Sequence, residues 1–175
     1  MCGLQIIQVD LEGLNEIVHR FSFEVGDVFF TAMAAQGERP AHKGNMVATI
    51  EATKGSGCYD FNIHVEGTVT LPCDRCLDDM LQPVTTDSHL VVKRGEPTNE
   101  SDDVLMVDET QHMVDLSWFV YEMVELAIPI QHVHPEGECN PAMLEVLACH
   151  EKNSEDGDVD PRWKDLEKLR TTIND

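Results

Sequence analysis

The chain is poor in cations: Lys and Arg number 12 against 33 Asp and Glu, a formal net charge of −21 with the histidines neutral. That scarcity weighs against direct binding of nucleic acid, because affinity for phosphates comes largely from cationic side chains that displace counterions. Long apolar runs are missing too, and no stretch approaches the ~20 apolar residues of a membrane span. The start Met1-Cys2-Gly3-Leu4-Gln5-Ile6-Ile7 lacks the charged and apolar regions of a signal peptide. A cytoplasmic protein that avoids acidic membrane surfaces is expected. Enzyme signatures are equally scarce: there is no phosphate-cradling glycine loop, no paired-histidine zinc-protease helix and no nucleophile elbow. The expectation is a binding protein with no small-molecule substrate rather than an enzyme.

What is present is enough for one sizeable core. The 175 residues are 42% hydrophobic and 26% charged, which suits a single domain, placed here at residues 1–150. The remaining residues 151–175 read as an acidic linker and a short amphipathic helix carrying Trp163, Leu166 and Leu169. Apolar and polar residues alternate over 17–25, 46–53 and 59–71, the pattern of half-buried strands, and Lys54-Gly55-Ser56-Gly57 suits a hairpin turn. Gly67 suggests a bulge, and further strands are expected over 84–93 beyond Pro83 and over 104–107. The run 28–35 is apolar throughout, so periodicity does not choose between strand and helix, and strand is preferred. Leu116, Phe119, Val120, Met123, Val124 and Ala127 share one helical face, with Asp115 or Ser117 as cap and Pro129 as stop. A weaker helix is expected over 142–150. The fold class is therefore α+β: a mainly antiparallel β-sheet with one central helix and a helical C-terminal segment.

Six cysteines in a chain expected to stay in the cytoplasm are thiols or metal ligands rather than a disulfide framework. Cys73-Asp74-Arg75-Cys76 has the spacing that lets two sulfurs reach one metal. A second half is available in Gln131-His132-Val133-His134-Pro135-Glu136-Gly137-Glu138-Cys139. The candidate ligands are Cys73, Cys76, His134 and Cys139, with His132 as the alternative histidine, and the candidate metal is a structural zinc. Free thiols packed near a turn are the plainer reading. The same pair could instead cycle as a dithiol, but Asp74, Asp78 and Asp79 outnumber Arg75 and disfavour a reactive thiolate. Cys2, Cys58, Cys149 and the histidines His19, His42, His64, His89, His112 and His150 are read as surface or core residues.

Several segments together resemble the bacterial YceD family: Gly67-Thr68-Val69-Thr70-Leu71-Pro72-Cys73-Asp74-Arg75-Cys76-Leu77, then Tyr121-Glu122-Met123-Val124-Glu125-Leu126-Ala127-Ile128-Pro129-Ile130, then His134 with Cys139. A late Asp160-Pro161-Arg162-Trp163-Lys164-Asp165-Leu166 extends the likeness. The resemblance implies a non-enzymatic factor for accumulation of large-subunit ribosomal RNA and for ribosome biogenesis. Many members carry a further Cys pair in the second half, where this chain offers His134 and Cys139. With so acidic a chain, the implied partner is a basic ribosomal or assembly protein, and the RNA is reached indirectly. Two alternatives stand beside it: an acidic zinc-stabilised adaptor for another basic partner, and a Cys-x-x-Cys thiol oxidoreductase. A direct RNA contact would have to use a local basic patch such as Arg39, His42 and Lys43 with Lys93 and Arg94.

Overall fold

The computed structural model describes residues 6–37, 42–95 and 104–150. The chain divides into two compact units, Met1–Cys139 and Asn140–Asp175. In the first, the strands are β1 (Gln8–Asp10), β2 (His19–Gly26), β3 (Lys43–Lys54), β4 (Cys58–Pro72), β5 (Asp79–Arg94), β6 (Val104–Val107) and β7 (Met113–Asp115), with helices α1 (Asp27–Gly37) and α2 (Ser117–Ala127). In the second, α3 (Pro141–His150) is described. The expected tail with Trp163, Leu166 and Leu169 lies outside the described residues. No helix among the described residues is long and apolar enough to cross a membrane.

Five strands form one sheet in the order β2-β3-β4-β5-β6, and β1 pairs with β7 in a separate ribbon. All pairs are antiparallel except β5 with β6, so the α+β, mainly antiparallel expectation holds. Strict alternation gives the large sheet two unlike faces. Val25, Met46, Ile50, Phe61, Ile63 and Leu90 are buried on one, against α1 and α2. The other carries a polar row, Arg20, Glu51, Asn62 and His89, and beside it Ser22, Thr49, His64 and Asp87.

Residues 28–35, expected as a strand, are instead most of α1. Phe29, Phe30, Met33 and Ala34 recur at three- and four-residue spacing and are the buried ones, which is a helical stripe. Val28, Ala32 and Ala35 on the remaining surface are also apolar, and that hid the period. Asp27 fixes the entry: its Oδ1 accepts the Gly44 N–H at 2.9 Å, and its carbonyl accepts the Thr31 hydroxyl at 2.7 Å. Phe30 then meets Tyr121 of α2 edge to face, with centroids 6.4 Å apart.

Helix α2 follows the expected bounds closely. Val120, Tyr121, Met123 and Val124 are buried, and the helix ends when Ile128 N–H bonds Val124 carbonyl at 3.2 Å, one residue before Pro129. Neither expected cap residue holds the N-cap position, which is Leu116 and has no side-chain cap bond, but both anchor the helix start. Asp115 Oδ1 accepts the Ser117 N–H at 2.9 Å, while buried Ser117 Oγ accepts the Ile7 N–H at 2.8 Å and ties the β1 region to the helix.

Strand β5 begins at Asp79 rather than after Pro83. Pro83 is tolerated because β6 pairs only with residues 91–94, so among the described residues the strand is an edge at Pro83, where a missing N–H on the open side costs no ladder bond. Gly67 makes no bulge. It pairs with Met46 on one side and Val84 on the other in unbroken register. Glycine is required there by proximity: φ is +152°, and an added Cβ would collide with the Asn45 carbonyl oxygen and Met46 Cα.

Gly67→Ala is expected to lower the unfolding free energy by about 2 kcal/mol or more, since it adds a backbone clash to an unfavourable φ. Gly57→Ala, at φ +86° with nothing within 4 Å of the new Cβ, should cost only about 1 kcal/mol. Urea unfolding of both variants measures the difference, and equal costs would count against a steric role for Gly67.

Candidate metal centre

The first half of the site grows from the end of β4. Past Pro72 the chain turns sharply: Cys73 N–H donates to Asp78 carbonyl and Leu77 N–H to Cys73 carbonyl, both at 2.9 Å. Leu77 takes a left-handed conformation, φ 64°, unusual for a side chain of its size. The turn sets Cys73 and Cys76 on the same side, and the Arg75 N–H points at Cys73 Sγ from 3.4 Å.

The second half is the chain leaving α2. Asp74 N–H donates to His132 carbonyl at 2.9 Å, and His132 N–H donates back to Asp74 Oδ2 at 2.8 Å. This two-bond clasp joins segments 58 residues apart in sequence. A turn then closes through Glu138 N–H on Pro135 carbonyl, 3.1 Å, with Gly137 at φ +88°, and returns Cys139 to the cluster.

One ligand atom from each of Cys73, Cys76, His134 and Cys139 lies within 4.8 Å of the other three. Cys73 Sγ is 3.9 Å from Cys139 Sγ, and Cys76 Sγ is 3.4 Å from His134 Nδ1. The three cysteines are unoxidised and almost wholly enclosed, at 0, 1 and 6% exposure. Burial works to raise the Cys73 thiol, but hydrogen bonds from the backbone amides of Cys76, His134 and Arg75 and from the His134 side chain outweigh it and bring it down to about 6. Burial, with Cys73 alongside, pushes Cys139 up. A sulfur favoured as thiolate inside a buried ring of soft donors is a site that could hold a metal ion.

The four candidates from the sequence are thus brought together, and His132 stands apart. Its Nε2 lies 3.6 Å from Asp74 Oδ1 instead. Asp74, read from the sequence only as a charge against thiolate reactivity, is the residue that clasps the two halves. An Asp inside a turn is a known backbone acceptor, which was the available signal. Leu77 gave none, because left-handed positions are announced by Gly or Asn.

Elsewhere on this unit His19 meets the Asn15 amide oxygen at 3.1 Å, and other histidines find carboxylates. His42 meets Glu125 at 3.5 Å, His89 meets Asp60 at 3.5 Å and His112 meets Glu12 at 2.7 Å. On the open sheet face the hydrogen bond that His64 donates to Asp87 Oδ1, 2.7 Å away, raises His64 above its ordinary value. A shallow hollow of about 480 Å³ lies on this face, between Thr49, Glu51, Asn62, His64, Asp87 and His89. The basic patch considered for direct RNA contact does not assemble. Lys43 aligns with Thr70 and Lys93 with Cys58, at opposite ends of β4 and so about 40 Å apart. Arg39 lies outside the described residues.

No curated protein and no solved structure matches the chain. The family model described as large ribosomal RNA subunit accumulation protein YceD matches residues 61–170, a span that begins in β4 and takes in both halves of the cysteine cluster. With more than half of its length matched, the chain belongs to the YceD family.

Proposed function

We propose that this protein supports accumulation of large-subunit ribosomal RNA without catalysing a reaction, by binding a basic ribosomal or assembly protein and so reaching the RNA indirectly. The family supplies the link to the RNA. The observation that carries the choice of partner is charge. The chain bears a net −21, and its open sheet face presents Glu24, Glu51, Asp60, Glu66 and Asp87, with Arg20 already paired to Glu51. Such a field repels phosphate and draws in cationic polypeptide. A cytoplasmic site of action follows from this role.

Structural zinc is the metal proposed for Cys73, Cys76, His134 and Cys139. Around one zinc, two sulfurs stand about 3.8 Å apart and a sulfur and a nitrogen about 3.5 Å apart. The observed 3.9 and 3.4 Å are close to those values. Four protein donors leave no open position for water, so the metal would staple the end of β4 to the chain after α2 rather than activate a nucleophile. The oxidoreductase alternative is disfavoured by burial, because thiols exposed by 0 and 1% cannot reach a substrate disulfide. An adaptor for a different basic partner would use the same surface.

Elemental analysis of the purified protein should give about one zinc per chain. Cys73→Ser and Cys139→Ser should each abolish most of it, and Cys149→Ser, on α3, should not. Chelation should lower the unfolding free energy by on the order of 4 kcal/mol, the linkage expected at a thousandfold excess over the dissociation constant. Full metal content in both ligand variants would remove the site.

Co-sedimentation with large-subunit precursors should survive RNase digestion and fall as salt is raised. Tight binding of the purified protein to naked RNA at physiological salt would overturn the indirect role. A salt titration counts the contacts, at a slope of about 0.9 per neutralised phosphate on duplex, or about 0.7 on single strands.

A further inference from the structure

Strand β2 is the terminal strand of the five-stranded sheet and pairs only with β3 among the described residues. Its register with β3 is continuous over all eight residues from His19 to Gly26, so no bulge bends it away. It contains no proline, and no lysine faces outward from it. Those are three of the devices by which sheets blunt a free edge, and the charges the strand does carry are of both signs, Arg20 and Glu24. The flanks are apolar as well. Ile17 and Val18 just before the strand are 71 and 57% exposed, and Val28 just after it is 47% exposed.

We infer that β2 is a docking edge for a second copy of this chain, pairing antiparallel with its own counterpart about a twofold axis at Ser22 to give a continuous ten-stranded sheet. The strand is self-complementary in that register. Arg20 of one copy stands opposite Glu24 of the other, on the open face, and the same ion pair repeats on the far side of the axis. Phe21 stands opposite Phe23 on the helix-covered face, where both are only partly buried in the single chain. Val18 stands opposite Gly26, which brings exposed Ile17 and Val18 of each copy to the end where the other carries exposed Val28. Opposite charges, aromatic pairs and apolar ends therefore match at once, and a twofold interface doubles each match.

Neighbouring registers lose this. A two-residue slip in one direction sets Arg20 against Ser22 and Phe21 against itself, and in the other sets Glu24 against Ser22 and leaves Arg20 opposite Gly26. The net charge of each copy opposes association at long range, but at physiological ionic strength the screening length is only about 8 Å. The charges at the edge then decide, and at the edge they are paired. A lysine-rich extended segment from another protein would gain the same backbone bonds, but it would set a cation against Arg20 and leave the aromatic and apolar matches unused.

Sedimentation velocity on the full chain at physiological salt should show mass rising with concentration toward twice the 19.6 kDa of one chain. Amide exchange over residues 19–26 should slow in step. Glu24→Arg, which leaves the Arg20–Glu51 pair in place, sets Arg20 against arginine at both symmetric positions and should weaken the dimer about tenfold or more. The triple variant Arg20→Glu, Glu24→Arg and Glu51→Arg restores opposite charges across the axis, keeps opposite charges at the Arg20–Glu51 position within each copy, and should regain the dimer. A thermal melt confirms that each variant is folded. A native protein that stays monomeric at every concentration overturns the inference. So does Glu24→Arg dimerising as tightly as the native chain, or a dimer whose β2 amides exchange as fast as the monomer's. If the native monomer's β2 amides are instead protected by an extended oligolysine peptide, the edge belongs to a basic partner and not to a second copy.

Discussion

Strand β4 is held on both sides, by β3 from Tyr59 to Thr70 and by β5 from Cys58 to Pro72. A strand so paired cannot shift register without turning its buried residues to solvent. Its C-terminal end is consequently a fixed point, and Cys73 sits one residue beyond it. The other half of the cluster has no comparable anchor of its own. It descends from α2, whose position is set by Tyr121, Val120 and Val124 in the core, and it is brought to the turn by the Asp74–His132 clasp. One backbone bond and one bond to the Asp74 carboxylate thus convert a short-range motif and a distant loop into one buried ring of donors. A metal there would be a second clasp on the same two segments, stabilising the folded chain because only that chain assembles the four donors.

The acidity of the chain shapes the sheet differently. One face must exclude water, and its alternating Val, Ile, Phe and Leu see to that. The opposite face is free to carry function, and it carries carboxylates with histidines set among them. His64 lies against Asp87 and Glu66, and His89 against Asp60. The carboxylates of this face outnumber Arg20 and the two histidines set among them, so the face keeps its anionic character while these contacts hold its side chains in place. That is the combination a surface needs to capture a cationic partner quickly and in a defined orientation.

Much of this was legible from residue order, and the failures have physical causes. The strands 46–53 and 59–71 and the helix at 116–127 could be read because each buries one face only, which leaves its period visible. Residues 28–35 lost that visibility because nearly all are apolar, and only the packed stripe Phe29, Phe30, Met33 and Ala34 settles the matter. Gly67 was read as a bulge because glycine in a strand signals either an irregularity or a close approach, and only the neighbouring backbone of Asn45 and Met46 distinguishes the two. Pro83 marked an edge, not a strand boundary, but the short reach of β6 that makes it an edge is a property of the whole sheet. The Cys73–Cys76 pair was plain from spacing. Its partners were candidates by residue type alone, and choosing His134 over His132 required knowing that Asp74 takes His132.

The edge at β2 and the open acidic face bear on one another. A twofold axis between paired β2 strands stands perpendicular to the sheet, so the helix-covered sides of both copies fall together and both acidic faces look the same way. The anionic surface would then be twice as wide, with the cysteine turns away from the joint, since β4 lies two strands in from the edge. Ribosomal and assembly proteins that carry more than one basic segment could engage both halves at once, and the second contact would form at the high effective concentration set by the first. Pairing through β2 would in this way turn a diffuse electrostatic attraction, weak per contact and easily screened, into retention long enough to matter during assembly.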